Sequence, residues 1–388
     1  MRRVSANYVL SPHCEPIRNG ILEFNKKGVL VEIIDPKEAE LAQVEWYNGV
    51  LIPGFVNAHC HLELSQLKGV IPAKQGMTGF IKGIFANNGK QPFDQQSAIE
   101  ADKMMFREGV VAVGDISNHI KSLSIKLNSP LYYHTFFEAL GLNPETASAT
   151  KENLVRLIET AHNLTLNASA SPHAFYSMSE QLWQELHPLF KDQVVSFHHL
   201  ESTDEALFIE KQTGELFNLM RCMSPGKLPA TPALSMANLL LRYLSEASKL
   251  LLIHNGALTA KDLAVYNALQ TELYFVLCPC SNQYIGNALP DYEILKQFNA
   301  TLCIGTDSLS SNTQLSICEE MKALQAYYPE VTFMEILSWA TLNGAKALGI
   351  SDSIGSFEVG KKPGAVLISH FDFENTRLTS KSTARRLL

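Results

Sequence analysis

The sequence lacks the long apolar runs and the charge clusters that are typical of membrane and nucleic-acid proteins. No run of about 18 apolar residues is present, so no transmembrane helix is predicted. Lysine and arginine total 32 against 39 acidic residues, and they form no cluster that would bind nucleic acid or an anionic membrane. The first residues include two arginines but no apolar segment of signal-peptide length. We therefore expect no membrane partner, no nucleic-acid partner and no secretory signal.

Two further absences concern cysteine and a glycine motif. The seven cysteines are odd in number, and most of them lie in apolar, strand-like segments. Buried thiols in a reducing compartment explain this better than a disulfide framework, so we expect a cytoplasmic protein. No Gly-x-Gly-x-x-Gly follows the first strand of the long central region, which argues against a dinucleotide-binding open sheet. The chain has 388 residues, of which 46% are hydrophobic and 18% are charged. This length and composition are typical of a globular protein with a large core.

The middle of the chain alternates between apolar strand-like runs and helix-like segments. Eight such runs are present: 51–58, 110–115, 131–138, 168–173, 193–198, 250–254, 273–278 and 301–307. Continuous rather than alternating hydrophobicity indicates parallel strands that are buried on both faces. The pattern predicts an α/β fold, a (β/α)8 TIM-like barrel over 53–349, with a doubly wound open sheet as the competing architecture.

Both ends of the chain have the pattern of short strands and turns. Strand-like segments occur at 8–10, 20–24 and 29–34, and another at 365–368 follows a turn-rich stretch. Because chain termini often lie close together, we expect residues 1–52 and 350–388 to form one small β-sandwich domain.

Polar side chains recur where the predicted strands end. They are His59 with His61, Asp115, Glu138, His173, His198, His254, Cys278 with Ser281 and Asn282, and Asp307. In a (β/α)8 barrel the carboxyl ends of all strands meet at one mouth, where the active site lies. Because buried polar groups are costly without partners, this recurrence indicates a functional site.

The first strand end contains a His-x-His pair. In an extended chain residues i and i+2 point the same way, so His59 and His61 present two imidazoles to one side. With His198 and Asp307 they form a set of three imidazoles and one carboxylate. That set suits one divalent ion, zinc in the first place and iron as the alternative. Such an ion lowers the pKa of bound water from about 15.7 to about 7.

Hydrolysis by such a site also needs a group that carries protons. Glu201 lies three residues after His198, just beyond the strand end, and is the candidate general acid–base, with a solvated loop glutamate as the alternative interpretation. His254 would steer the attacking water or polarise the substrate. His199 would point away from His198 along an extended strand, so we interpret it as structural.

The order of these motifs resembles the amidohydrolase superfamily. The similar branch holds cytosine deaminases, S-adenosylhomocysteine and methylthioadenosine deaminases, triazine hydrolases and aminofutalosine deaminases. The segments that carry the resemblance cover nearly the whole chain: 53–61, 171–177, 198–201, the strand ending at 254, 278–282, 305–308 and 355–367. The segments 114–118 and 305–309 look most like aminofutalosine deaminases. Two departures are the missing tryptophan near 76–82 and the missing Ala-Asp before the last strand, at 362–366.

The resemblance implies one metal ion and a set of roles. The implied ligands are His59, His61, His198 and Asp307, and the implied catalytic residues are Glu201, His254 and Asp307. His173 would contact the substrate, and we expect Glu138 and Ser308, which follow the third and eighth strands, to do so too. Binuclear branches carry a bridging lysine at the end of the fourth strand, where this chain has Pro172 and His173.

We therefore expect a metal-dependent hydrolase that deaminates an amino-substituted nitrogen heterocycle. Its small-molecule substrate would be of nucleobase or nucleoside type, with aminofutalosine as one candidate. A chlorohydrolase or cyclic amidase would share the same ligands, and an inactive amidohydrolase-like scaffold is a third alternative, although no ligand is missing. A cytidine-type zinc deaminase is rejected, because its second cysteine would fall at Gln283. A homo-oligomer is compatible with the composition.

Overall fold

The computed structural model describes residues 1–37, 43–87, 90–226, 228 and 236–388, so part of the predicted N-terminal domain, 38–42, lies outside the described residues. The strands in these ranges are β1 (Arg2–Val9), β2 (Ile17–Arg18), β3 (Ile21–Phe24), β4 (Leu30–Ile34), β5 (Val44–Ile52), β6 (Phe55–Cys60), β7 (Val110–Ser117), β8 (Tyr132–Ala139), β9 (Asn167–Pro172), β10 (Val194–His199), β11 (Lys249–His254), β12 (Glu272–Leu277), β13 (Thr301–Ile304), β14 (Val366–Asp372) and β15 (Arg377–Arg386).

The α-helices of the same ranges are α1 (Gly76–Asn87), α2 (Gln95–Glu108), α3 (Leu123–Asn128), α4 (Ala147–Asn163), α5 (Glu180–Phe190), α6 (Thr203–Lys211), α7 (Glu215–Met223), α8 (Met236–Tyr243), α9 (Ala260–Tyr266), α10 (Pro279–Ile285), α11 (Tyr292–Gln297), α12 (Ile317–Tyr327), α13 (Phe333–Ala340) and α14 (Leu342–Ala347). Short 3₁₀ helices span Leu62–Leu67, Ile120–Ser122, Pro144–Thr146 and Phe175–Ser177. None of the helices in the described ranges is long and apolar enough to cross a bilayer.

The central strands form two parallel sheets. In the described residues the first sheet has the order β6-β7-β8-β9 and the second the order β10-β11-β12-β13. The sheets also meet at two places. The His198 amide donates to the His173 carbonyl oxygen at 2.9 Å, beside β9 and β10. The amides of Thr306 and Asp307 both donate to the His59 carbonyl oxygen at 3.0 Å, so the segment after β13 lies along β6.

Strand β11 shows why these strands are continuously apolar. Leu251 and Ile253 pack in one core with residues of the other central strands, whereas Leu250 and Leu252 pack in a second core that includes the surrounding helices. Alternate residues of one strand therefore face different apolar layers. The fold is accordingly mixed α/β with parallel sheets that are buried on both faces, as the sequence predicts.

The two ends of the chain share a third sheet. Its order is β15-β14-β5-β1-β3-β4, with β2 paired to β1, and β14 runs antiparallel to β5 with Leu367 opposite Leu51. The predicted run 51–58 is divided, because Leu51 and Ile52 end β5 whereas β6 begins at Phe55. Proline has no amide hydrogen, and the Gly54 amide donates to the Pro363 carbonyl oxygen at 2.9 Å, so the chain leaves one sheet there and enters another.

Two features of the third sheet differ from the sequence-based expectation. β1 begins at Arg2 rather than near residue 8, and β15 was not expected at all. The sequence of β15, RLTSKSTARR, has little apolar character because this strand lies at the edge of the sheet and much of it is exposed. Edge strands are often rich in charge, so hydrophobic patterning does not detect them.

Candidate active site

The ends of β6 and β13 bring two imidazoles and a carboxylate together. The Nε2 atoms of His59 and His61 are 3.2 Å apart. The Asp307 Oδ1 atom lies 3.7 Å from His59 Nε2 and 3.5 Å from His61 Nε2. All three side chains are buried, and this donor set could bind a divalent cation.

The ends of β10 and β11 add two more imidazoles. The ring centre of His198 lies 4.9 Å from that of His59 and 5.5 Å from that of His61. The nearest ring nitrogens of His59, His198 and His254 lie within 4.8 Å of one another. The His198 Nδ1 donates to the His173 carbonyl oxygen at 3.1 Å, so the neutral ring keeps its lone pair on Nε2. Such a backbone bond fixes the tautomer of a metal-binding histidine.

The protonation states of these groups also fit a cation. Burial lowers the pKa of His59, lowers that of His61 to about 3, and lowers that of His198 well below its ordinary value. Burial alone would raise the pKa of Asp307, but the adjoining His59 and the imidazoles of His61 and His254 hold it well below its ordinary value. Neutral imidazoles and an ionised carboxylate are the forms that bind metal.

The backbone that carries these groups is locally strained. Asp307 has a φ of 56° and His254 a φ of 73°, in the left-handed region that non-glycine residues seldom adopt. Strain of this kind clusters at functional sites. Two residues before Asp307, a Cβ on Gly305 would lie 2.7 Å from the His59 Cβ, so only glycine lets the segment approach β6 this closely.

Glu201 and His254 form the candidate proton-transfer pair. The Glu201 Oε2 lies 3.9 Å from the His254 Nε2, and both side chains are buried. The other carboxyl oxygen, Oε1, accepts a hydrogen bond from the Asn287 Nδ2 at 3.2 Å. The Glu201 amide donates to the Glu205 Oε2 at 2.8 Å, which fixes the backbone after β10. Burial raises the pKa of Glu201 above its ordinary value, which suits a group that must both take up and release a proton.

The tautomer of His254 follows from its asparagine neighbour. The Asn282 Nδ2 donates to the Ala288 carbonyl oxygen at 2.7 Å, so the Asn282 Oδ1 faces the His254 Nδ1 at 2.9 Å. His254 therefore donates from Nδ1 and keeps its acceptor, Nε2, on the side of Glu201. The segment that contains α10 thus holds both members of the pair, through Asn282 and Asn287.

Asp307 is held by serines as well as by its histidine neighbours. The hydroxyls of Ser281 and Ser311 donate to its Oδ2 at 2.6 and 2.8 Å, and the Ser308 amide donates to its Oδ1 at 2.7 Å. Sequence reasoning gave no role to Ser311 or to Asn287, because neither lies at a strand end. Ser281 and Asn282 do follow a strand, and that position is the signal that marks them.

Two of the residues expected to contact substrate, His173 and Glu138, lie beside His198. The His173 Nδ1 is 2.8 Å from the Ser177 Oγ, and the Glu138 Oε1 is 3.5 Å from the His198 Nδ1. Burial lowers the pKa of His173 to about 4 and raises that of Glu138 to about 8. The Ser308 hydroxyl is buried and lies 2.5 Å from the Ser310 hydroxyl.

Two polar residues near the strand ends have other partners. Asp115 forms a fully buried ion pair with Lys126 at 2.6 Å and accepts the Leu62 amide at 2.7 Å, which holds the chain just after His61. The ring nitrogens of His199 lie 2.8 Å from the Asn255 Oδ1 and 2.6 Å from the Tyr266 hydroxyl. These bonds agree with a structural role for His199.

Comparison with known proteins places this arrangement in a family. Residues 50–383 match the model of the Amidohydrolase family. The chain belongs to the amidohydrolase family. The resemblance inferred from the sequence is thereby confirmed, and amidohydrolases of this family are metal-dependent.

Two similar proteins are deaminases. An adenosine deaminase of Helicobacter pylori is 27% identical over 369 residues, which cover 92% of this chain and 88% of that protein. An aminodeoxyfutalosine deaminase of Nitratiruptor sp. is 27% identical over 384 residues, covering 95% of this chain and 91% of that protein. The protein is accordingly a hydrolase that acts on carbon–nitrogen bonds.

Solved structures of other amidohydrolases share the fold. Helicobacter pylori aminofutalosine deaminase in complex with methylthio-coformycin superposes with a TM-score of 0.83 at 25% identity, covering 96% of this chain and 93% of that one. Atrazine chlorohydrolase from Arthrobacter aurescens, complexed with zinc, superposes with a TM-score of 0.73 at 14% identity, covering 98% and 89%. At that lower identity the likeness concerns the fold alone.

Proposed function

We propose that the protein is a metal-dependent deaminase of an adenine-type nucleoside, releasing ammonia from an amino-substituted purine ring. The observation that carries the proposal is the Glu201–His254 pair, 3.9 Å apart and buried beside the cluster of His59, His61, His198 and Asp307. The deaminases among the similar proteins support the reaction. Aminofutalosine is one candidate substrate within this class, supported by the aminofutalosine deaminase structure.

The proposal includes one divalent ion per chain, zinc in the first place and iron as the alternative. His59, His61 and His198 would bind it through Nε2, and Asp307 through a carboxylate oxygen. The zinc in an adenosine deaminase structure from Xanthomonas campestris, of the same fold, is compatible with this choice. When bound, such an ion supplies a Lewis acid that makes water available as hydroxide near neutral pH.

The residues of the chain would carry out the proton transfers. Glu201 takes the proton that the attacking water releases and delivers it to the departing amine, which leaves as ammonia. His254 accepts a hydrogen bond from that water at Nε2, because Asn282 holds the proton of its ring on Nδ1. Asp307 serves as a second proton acceptor: it takes the other proton of the attacking water, and that proton ends on the ring nitrogen beside the reacting carbon, so the ring gains a carbonyl and an N–H as ammonia leaves. His173, Glu138 and Ser308 are proposed to contact the substrate.

We also propose a domain organisation and a cellular location for the protein. We propose that β6–β13 close into one (β/α)8 barrel over 53–349, supported by the backbone bonds between β9 and β10 and between β6 and the segment after β13. We propose a β-sandwich domain from 1–52 and 350–388, supported by an apolar cluster whose members, in the described part of the chain, all belong to these two segments. All seven cysteines are described and carry free thiols, which supports a cytoplasmic location, and a homo-oligomer stays a prediction.

A screen for ammonia release tests the reaction. Purified protein supplied with zinc, and in parallel with ferrous iron, would be given adenosine, 5′-deoxyadenosine, aminodeoxyfutalosine, adenine, guanine, cytosine and atrazine. We expect ammonia from the adenine nucleosides and little from the free bases. Chloride release from atrazine without ammonia release from any nucleoside would favour the chlorohydrolase alternative. Full metal content with no turnover of any compound would favour the inactive scaffold.

A further inference from the structure

One oxygen of Glu138 is buried beside the histidine cluster and accepts no hydrogen bond from the part of the chain that the structure describes. The side chain is 6% exposed, and among the described residues its Oε1 has no hydrogen-bond partner. The His198 Nδ1 is 3.5 Å away and already donates to the His173 carbonyl oxygen at 3.1 Å. Leaving a buried acceptor unpaired is costly. We therefore expect a bound ligand to supply the hydrogen-bond donor for this oxygen.

The orientation of Glu138 is fixed from its other side. Its Oε2 accepts a hydrogen bond from the Asn118 Nδ2 at 3.2 Å. The position of Asn118 is fixed in turn, because its backbone N–H donates to the buried Glu63 Oε1 at 2.9 Å. The unpaired Oε1 therefore has a set position, which is what selective binding of a ligand group requires.

His173 adds a second acceptor close by. The Ser177 hydroxyl donates to the Ala174 carbonyl oxygen at 2.9 Å, so at 2.8 Å it accepts from the His173 Nδ1. The neutral His173 ring then keeps its lone pair on Nε2. Polar atoms of Glu138, His173 and His198 lie within 4.8 Å of one another, so one ligand group could reach both acceptors.

We infer that Glu138, held by Asn118, is a specificity-determining residue that binds a sugar hydroxyl of the substrate, with His173 accepting a neighbouring hydroxyl. The inference rests on the proposed nucleoside deaminase function and extends it, because it restricts the substrate to a heterocycle that carries a hydroxylated ring.

Hydroxyl groups fit this position better than other substituents. A hydroxyl both donates and accepts, so it satisfies Glu138 whether the carboxyl is ionised or protonated. A carboxylate or phosphate has no proton to give to two acceptors and would repel an ionised Glu138. A methyl or hydrogen in place of the hydroxyl would leave the Oε1 atom unpaired, and sites built to bind a hydroxyl discriminate strongly against analogues that lack it.

The test compares two substrates in three proteins. The values of kcat/KM for adenosine and for 2′,3′-dideoxyadenosine would be measured with the wild-type protein, Glu138→Leu and Glu138→Gln, together with the zinc content of each preparation. We expect the wild-type protein to prefer adenosine by about 10- to 100-fold, the range that corresponds to leaving a buried hydrogen-bonding group without its partner. Glu138→Leu should reduce that preference about 10-fold, because only the hydroxyl bond to His173 remains, and Glu138→Gln should retain an intermediate preference, because an amide still exchanges hydrogen bonds with a hydroxyl.

The control variant is Glu159→Gln, an exposed carboxylate on α4, which should keep the wild-type preference. Equal rates on both nucleosides in the wild-type protein would leave the deaminase function standing and overturn this inference. Loss of zinc in Glu138→Leu would also overturn it, since Glu138 would then support His198 rather than bind substrate. If the wild-type protein deaminates none of the adenine nucleosides of the screen, the proposed function fails and the inference fails with it.

Discussion

Replacing Glu201 with glutamine isolates the proton transfer from the other properties of the site. The Asn287 Nδ2 donates to the Glu201 Oε1 at 3.2 Å, so a glutamine at 201 would keep its amide oxygen there. Its NH₂ group would then face the His254 Nε2, which lies 3.9 Å from the present Oε2. The shape of the side chain and its bond to Asn287 are kept, but the oxygen that takes the proton is lost.

The expected effect falls on the chemical step. General acid–base catalysis contributes about 10²- to 10⁴-fold, so kcat should fall by that factor, or about 2.7–5.5 kcal/mol in the activation free energy. KM should change little, because the lost interaction belongs to the transition state. Zinc should stay bound, since Glu201 is not among the proposed ligands. The unfolding temperature should stay level or rise, because the variant no longer buries a carboxyl group whose ionised form is penalised by burial.

Kinetics, zinc analysis and thermal unfolding on one preparation separate the outcomes. Glu210→Gln, an exposed carboxylate on α6, is the matched control and should behave as the wild-type protein. A Glu201→Gln protein that loses zinc would mean that Glu201 is a metal ligand. A variant with full zinc content and a rate within about threefold of the wild-type value would refute the assignment and direct attention to Glu138 or Glu63.

Three further predictions follow from the same geometry. Replacing His59 or Asp307 with alanine should lower zinc content and turnover together and lower the unfolding temperature, because a metal that binds only the folded protein stabilises it; normal zinc content in either variant would contradict the ligand set. Replacing Asn282 with leucine frees the tautomer of His254, so kcat should fall about 10-fold or more with zinc retained, and an unchanged kcat would show that Asn282 does not position the ring. Burial lowers the pKa of His134 to about 4, so the unfolded chain binds this proton first and stability is lost as pH falls from about 6.5 to 4, by up to about 3 kcal/mol. His134→Gln should therefore lose less unfolding temperature than the wild-type protein between pH 7 and 4, and equal losses would contradict the pKa shift.

Much of the candidate site follows from local patterns. His59 and His61 share one side because side chains alternate along a strand, and Asp307 and His254 were marked by their places at strand ends. The positions of the central strands along the chain also follow from the continuous apolar runs, which agree with the observed strands to within a few residues. The alternation of side chains along a strand and the placement of a residue at a strand end are enough to predict these features, because both can be read from a short segment of sequence.

What the sequence did not predict depends on contacts between distant segments. The side-chain amide of Asn287 donates to Glu201, which lies far away in the sequence. No local motif predicts this contact. The division of the run 51–58 depends on Pro363, whose carbonyl oxygen accepts the Gly54 amide. The strained φ of Asp307 likewise reflects its packing against β6, a contact that no window of adjacent residues contains.

The sheet shared by the two chain ends has a consequence for biosynthesis. Until β14 leaves the ribosome, β5 is an edge strand that ends in the apolar sequence Val50-Leu51-Ile52, and its partner is made only after the whole central region. Translation at roughly 5–20 residues per second leaves that edge open for on the order of tens of seconds. An open apolar edge pairs readily with other chains, so nascent protein should depend on chaperones during this interval. Truncation before Val366 should yield aggregates even though every residue of the candidate active site has already been synthesised.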